Sequence, residues 1–87
     1  MSSPGRDREG IIMKEKKVKL AGNKEVTEFV QAAENCGFDI DVCYDRILVD
    51  GKSILGMLGL DLTKALTVRY SGENEAFEKI VEKYEVK

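Results

Sequence analysis

The chain predicts an α+β domain of two layers, with helices packed on one side of a β-sheet. Three observations carry this. Several short segments alternate apolar and polar residues with the period of a strand that is wet on one face. Other segments carry apolar residues at helical spacing on one stripe. The elements follow in the order β-α-β-β-α-β-α, for which a split β-α-β arrangement is the economical topology. At 87 residues, with 43% hydrophobic and 34% charged residues, the chain suits one globular domain with a single modest core.

Each element has its own warrant. Lys16-Lys17-Val18-Lys19-Leu20 alternates and puts Val18 and Leu20 on one face, a half-buried first strand that Ile11 and Ile12 extend backwards. Asn23 offers a cap for a helix over roughly 24–36, with Val26, Phe29, Val30, Ala33 and Cys36 as its stripe and Gly37 as its stop. Phe38-Asp39-Ile40-Asp41-Val42 alternates again. The tight connection Tyr44-Asp45-Arg46 leads to a third strand, Ile47-Leu48-Val49, so these two strands form an antiparallel hairpin ended by Asp50-Gly51. Ser53 caps a short helix, Ile54 to Leu60, of about two turns. That helix is too short to stand alone and must lean on the sheet. It is apolar nearly all round, so some of Ile54, Leu55 and Leu58 must stay exposed, which marks an interaction surface. Leu66-Thr67-Val68-Arg69-Tyr70 is a fourth strand. Ser71 then caps a last helix with Phe77, Ile80, Val81 and Tyr84 inside and Glu75, Lys79, Glu82 and Lys83 outside. Glu73 and Glu75 fall in its first turn, where the dipole favours them, and Glu75–Lys79 has the helpful i,i+4 orientation.

Composition removes whole classes of chemistry. Histidine is absent, which excludes Ser–His and Cys–His nucleophile pairs, His-ligated metals and phosphohistidine. Two cysteines are too few for a disulfide scaffold or a four-thiolate site. Cys36 ends an inward stripe while Cys43 shares the parity of Asp39 and Asp41, so opposite faces argue against a disulfide. A net charge of −2 argues against general nucleic-acid binding, and Phe38, Tyr44 and Tyr70 make no aromatic platform with basic residues between. Asp39, Asp41, Asp45 and Asp50 lack the spacing of a calcium loop. Gly51-Lys52-Ser53 resembles the end of a phosphate loop but has no upstream glycine at the required distance. No metal, cofactor or enzyme activity is expected.

The ends differ from the body. No apolar run approaches the ~20 residues of a membrane span, and no signal core opens the chain, so a cytoplasmic location is expected. Residues 1–13 read as a disordered leader or an artificial extension, with Met13 as an alternative start, and residues 14–87 as the domain. Residues 1–24 carry seven Lys/Arg against three Asp/Glu, whereas 25–87 carry seven against thirteen. The basic part, with Lys14, Lys16, Lys17, Lys19 and Lys24, reads as a solvated strand edge or as a docking face for an acidic partner.

Phe29-Val30-Gln31, followed by Asp50-Gly51-Lys52-Ser53-Ile54-Leu55-Gly56-Met57-Leu58-Gly59-Leu60, resembles HPr, the small phosphocarrier of the bacterial sugar phosphotransferase system. The resemblance covers roughly residues 16–84, and the spacing from Gln31 to Ser53 fits without a gap. It implies an open-faced β-sandwich, βαββαβα, with a four-stranded antiparallel sheet and three helices on one face. In that family a histidine before the first helix accepts phosphate from a phosphorylated transferase, beside an arginine and the helix N-terminus. Counting back without a gap puts Gly22 at the histidine and Lys24 at the arginine; the closeness of the first strand to Val26 favours a shortened loop instead. Either way no imidazole is present, and carrier activity is expected to be absent.

The resemblance also implies a second site. Ser53 falls on the serine that a dedicated kinase phosphorylates in HPr and in its histidine-lacking paralogue for catabolite repression. Phosphate there would lie at a helix N-terminus next to Lys52. The residues alone read Ser53 as a helix cap worth about 1 kcal/mol. Ile54, Leu55 and Leu58 fall on the apolar positions through which HPr docks its partners, with Lys24 added to that surface. The expected function is therefore a non-catalytic regulatory or adaptor protein that binds a protein partner, an HPr kinase or a transcriptional regulator, through the short second helix. Self-association through the same helix is the alternative.

Overall fold

The computed structural model describes residues 13–86. Seven elements follow one another: β1 (Lys14–Val18), α1 (Asn23–Glu34), β2 (Ile40–Tyr44), β3 (Ile47–Asp50), α2 (Ile54–Leu58), β4 (Leu66–Tyr70) and α3 (Glu75–Tyr84). The strands form one antiparallel sheet in the order β1-β4-β2-β3. β4 thus lies between β1 and β2, which is the expected split β-α-β arrangement, and β3 lies at an edge. The expected leader, and the extension through Ile11 and Ile12, fall outside the described residues.

Strand alternation places Val18, Ile40, Val42, Leu66, Val68 and Tyr70 on the inner face, all buried. Against them lie Val26, Phe29, Val30 and Ala33 of α1, Met57 of α2, and Phe77 and Val81 of α3. Phe77 is the hinge of the aromatic core. Its ring meets Phe29 edge-on at 5.5 Å and Tyr70 edge-on at 5.1 Å. That joins α1, β4 and α3 at one side chain in the edge-to-face geometry aromatic rings prefer. Cys36 is buried as predicted; burial pushes its thiol pKa up, with a small opposing effect from Lys52. Cys43 is half-buried on the outer face, and both thiols are free.

Three expected caps are corrected. Asn23 is the first residue of α1, not its cap. The cap is Gly22, which offers no side-chain acceptor, and the Thr27 hydroxyl donates to Asn23 O at 2.8 Å instead. At the other end α1 stops at Asn35, whose side chain donates to Gln31 O, before Gly37 is reached. α3 is capped by Asn74, whose side-chain oxygen accepts from Phe77 N–H at 3.0 Å, and not by Ser71. Serine and asparagine both suit an N-cap, and the position of Phe77 over the core selects Asn74. Glu73 therefore precedes the helix, and the first turn holds Glu75 and Glu78.

Two lysines of the basic strand find partners within the molecule. Lys14 and Lys16 share the inward parity of Val18, and their ammonium groups reach α3 and its end: Lys14 Nζ lies 2.8 Å from Glu78 Oε2, and Lys16 Nζ 3.9 Å from Glu85. Glu78 also accepts from the Tyr70 hydroxyl at 2.8 Å. Partial burial pushes the Glu78 carboxyl up, but the hydrogen bonds from Lys14 and Tyr70 outweigh it and leave the pKa lowered. Burial and the same carboxylate raise the Tyr70 phenol. The acidic last helix thus takes Lys14 and Lys16 as partners, while Lys17 and Lys19 stay exposed as a solvated edge would have them. The expected Glu75–Lys79 pair does not form; both side chains are exposed.

Candidate functional site

The candidate site is the turn into α2. β3 leaves the sheet at Asp50, and Gly51 passes so close to β2 that a Cβ there would lie 2.7 Å from Ile40 Cγ2 and 3.1 Å from Ile40 O. The Gly51 N–H donates to Ile40 O at 2.7 Å, and Asp50 Oδ1 accepts from Lys52 N–H at 2.9 Å. This turn fixes the start of the helix. Ser53 adopts extended backbone and its Oγ accepts from Gly56 N–H at 3.1 Å, so it is the N-cap that the sequence predicts. Its carbonyl accepts from Met57 N–H, and Met57 is fully buried. The N–H groups of Ile54 and Leu55 have no acceptor within the helix and present partial positive charge beside Ser53.

The helix is shorter than predicted, ending at Leu58 with Gly59 as its C-cap. Its apolar residues divide by face. Met57 is buried, and Ile54 is half-buried and packs against the core. Leu55 is 81% exposed and Leu58 39% exposed, so these two form the free apolar surface that the composition required. Lys52 does not stand over Ser53 as a simple neighbour. Its ammonium donates to Cys36 O at 3.1 Å, tying the α2 turn to the C-terminal end of α1.

Cys36 and the Lys52 ammonium bound to its carbonyl lie just past the C-terminal end of α1, whereas Lys24 lies in its first turn. There it lines an open groove with Glu28, Gln31, Lys83 and Tyr84. Glu28 accepts from the Tyr84 hydroxyl and lies 3.4 Å from Lys83 Nζ. The Tyr84 bond chiefly lowers the Glu28 pKa, against a smaller effect of burial. Gly22 caps α1, and β1 stops at Val18, which leaves residues 19–22 as the connection between them.

Sequence reasoning missed Ile47 and Leu48, which are 49% and 64% exposed. A three-residue apolar run reads as buried strand. The signal that reveals them is topological, since a split β-α-β order leaves β3 at the edge of the sheet.

An open-faced sandwich with a serine-capped short helix beside exposed leucines defines an HPr-type domain. The comparisons carry this further. Residues 23–85 match the family described as the PTS HPr component phosphorylation site, and the chain belongs to that family. Among solved structures, it is similar to the phosphocarrier protein HPr from Bacillus anthracis strain Ames. The two are 25% identical with a TM-score of 0.64, over 83% of this chain and 96% of that one. No curated protein matches. Among the described residues, no helix is long and apolar enough to cross a membrane.

Proposed function

We propose that this chain is a non-catalytic regulatory or adaptor member of the HPr family, without phosphohistidine carrier activity. One observation carries the reading: the chain contains no histidine, yet it keeps the Ser53-capped helix and its exposed leucines. A phosphoramidate needs an imidazole nitrogen, and none is present. Docking needs apolar surface aimed at solvent, and Leu55 and Leu58 supply it. Ser53 is the proposed regulatory position. A phosphoryl group on its Oγ would lie beside the free N–H groups of the first turn and add about two negative charges next to Leu55. Lys52 acts here by anchoring the turn through Cys36 O.

The partner is a protein, with an HPr kinase or a phosphoserine-reading transcriptional regulator as candidates. An HPr kinase is the first probe. Titrated into the isotope-labelled protein, it is expected to shift the amide signals of 53–58, and Leu55→Glu with Leu58→Glu is expected to abolish the shifts. Shifts elsewhere, or shifts that survive both substitutions, would overturn this surface. The exposure of Leu55 also suits self-association through α2, and a dimer broken by Leu58→Glu would establish that reading instead.

A further inference from the structure

The two edges of the sheet are treated differently. The β1 edge carries three lysines and is met by the chain end: Lys19 N–H donates to Tyr84 O at 2.9 Å and Val86 N–H to Lys17 O at 2.8 Å. Charge and cover of this kind keep an edge from pairing with other chains. The β3 edge has neither at its centre. Its middle residues are Ile47, Leu48 and Val49, the first two exposed.

The hydrogen-bonding phase of that edge follows from the hairpin. Tyr44 pairs with Ile47 across a two-residue connection, Val42 pairs with Val49, and Gly51 N–H donates to Ile40 O. These alternate positions bond inward to β2. By antiparallel alternation, both backbone groups of Leu48 and the N–H of Asp50 then point outward from the sheet. The Asp50 carbonyl accepts from Ser53 N–H.

The sequence at this edge is Arg46-Ile47-Leu48-Val49-Asp50, a cation, three apolar residues and an anion. We propose that β3 pairs antiparallel with β3 of a second copy of this chain, about a two-fold axis at Leu48. In that register Leu48 opposes Leu48, Ile47 opposes Val49, and Arg46 opposes Asp50, twice. The outward groups of Leu48 bond to each other, and each Asp50 N–H meets the Arg46 carbonyl across the axis. Leu48 and Asp50 lie on the outer face by alternation and Arg46 flanks the strand in the turn, so charge and backbone phase select one register. A strand that complements itself in this way makes the isologous contact of a two-fold dimer. Five residues a side fall below the about 1,000 Å² of a stable interface, so the dimer is weak and forms at high concentration. This surface adjoins the α2 turn at Asp50 but does not depend on the regulatory reading.

The test is sedimentation equilibrium of the full chain up to about 1 mM, where a weak pairing is populated. The apparent mass is expected to rise with concentration. Arg46→Asp places like charges opposite each other at both ends, and so does Asp50→Arg; each is expected to weaken association about tenfold or more. An equimolar mixture of the two variants restores opposite charges and is expected to associate again. Asp50 also accepts from Lys52 N–H, so if Asp50→Arg fails to fold, the loss of association in Arg46→Asp decides. A wild type that stays monomeric throughout would overturn the proposal. So would association that Arg46→Asp leaves intact, and sensitivity to Leu58→Glu instead would move the contact to α2.

Discussion

Replacing Ser53 by alanine removes one acceptor and nothing from the core. Ser53 Oγ is bound to Gly56 N–H at 3.1 Å, and losing it leaves an N–H of a five-residue helix without its partner. Loss of such a cap costs about 1 kcal/mol, within a range of about 0.5–2. For a domain of this size that lowers the melting temperature by roughly 4–8 °C. The effect is not larger because Met57 and Leu60, both buried, still hold the helix to the core. Thermal unfolding followed by circular dichroism at neutral pH measures it, and Ser53→Asp serves as the informative companion. An aspartate accepts the same bond and puts negative charge at the helix start, so it is expected to recover most of the loss. The reasoning is refuted if Ser53→Ala is neutral, or if Ser53→Asp costs as much as Ser53→Ala.

Three further substitutions test the packing and electrostatics. Phe77→Ala empties the point where Phe29 and Tyr70 meet and is expected to cost about 3–5 kcal/mol, much of the stability of a small domain, so urea unfolding should show little or no native baseline. Gly51→Ala drives a methyl group into Ile40 Cγ2 and crowds the Ile40 carbonyl, and a loss of about 1–3 kcal/mol is expected in the same assay. Glu78 has a pKa lowered by folding, so its stabilisation is full above its unfolded value near 4 and fades as pH falls through the folded value. Glu78→Gln is therefore expected to be less stable than wild type at neutral pH, with the gap closing below about pH 4; a gap that holds constant into acid would contradict the ion-paired assignment.

The strands and helices were legible because their patterns are local. Val18, Ile40, Val42, Leu66, Val68 and Tyr70 each sit where alternation puts them, and the α1 stripe is buried as its spacing requires. Ser53 was legible as a cap because it directly precedes the apolar run. Asn23 and Ser71 misled because a good capping residue marks where a helix can start, whereas core packing decides where it does. The roles of Lys14 and Lys16 were hidden because their partners, Glu78 and Glu85, lie more than sixty residues away in sequence. The open edge at Ile47 and Leu48 depends on strand order, which no single segment encodes.

The central claim is tested most directly by intact-mass analysis of the protein after incubation with an HPr kinase, ATP and magnesium, beside the Ser53→Ala variant. The account predicts one added phosphate on the wild type and none on the variant. No phosphate on the wild type, or phosphate that persists on Ser53→Ala, would contradict Ser53 as the regulatory site.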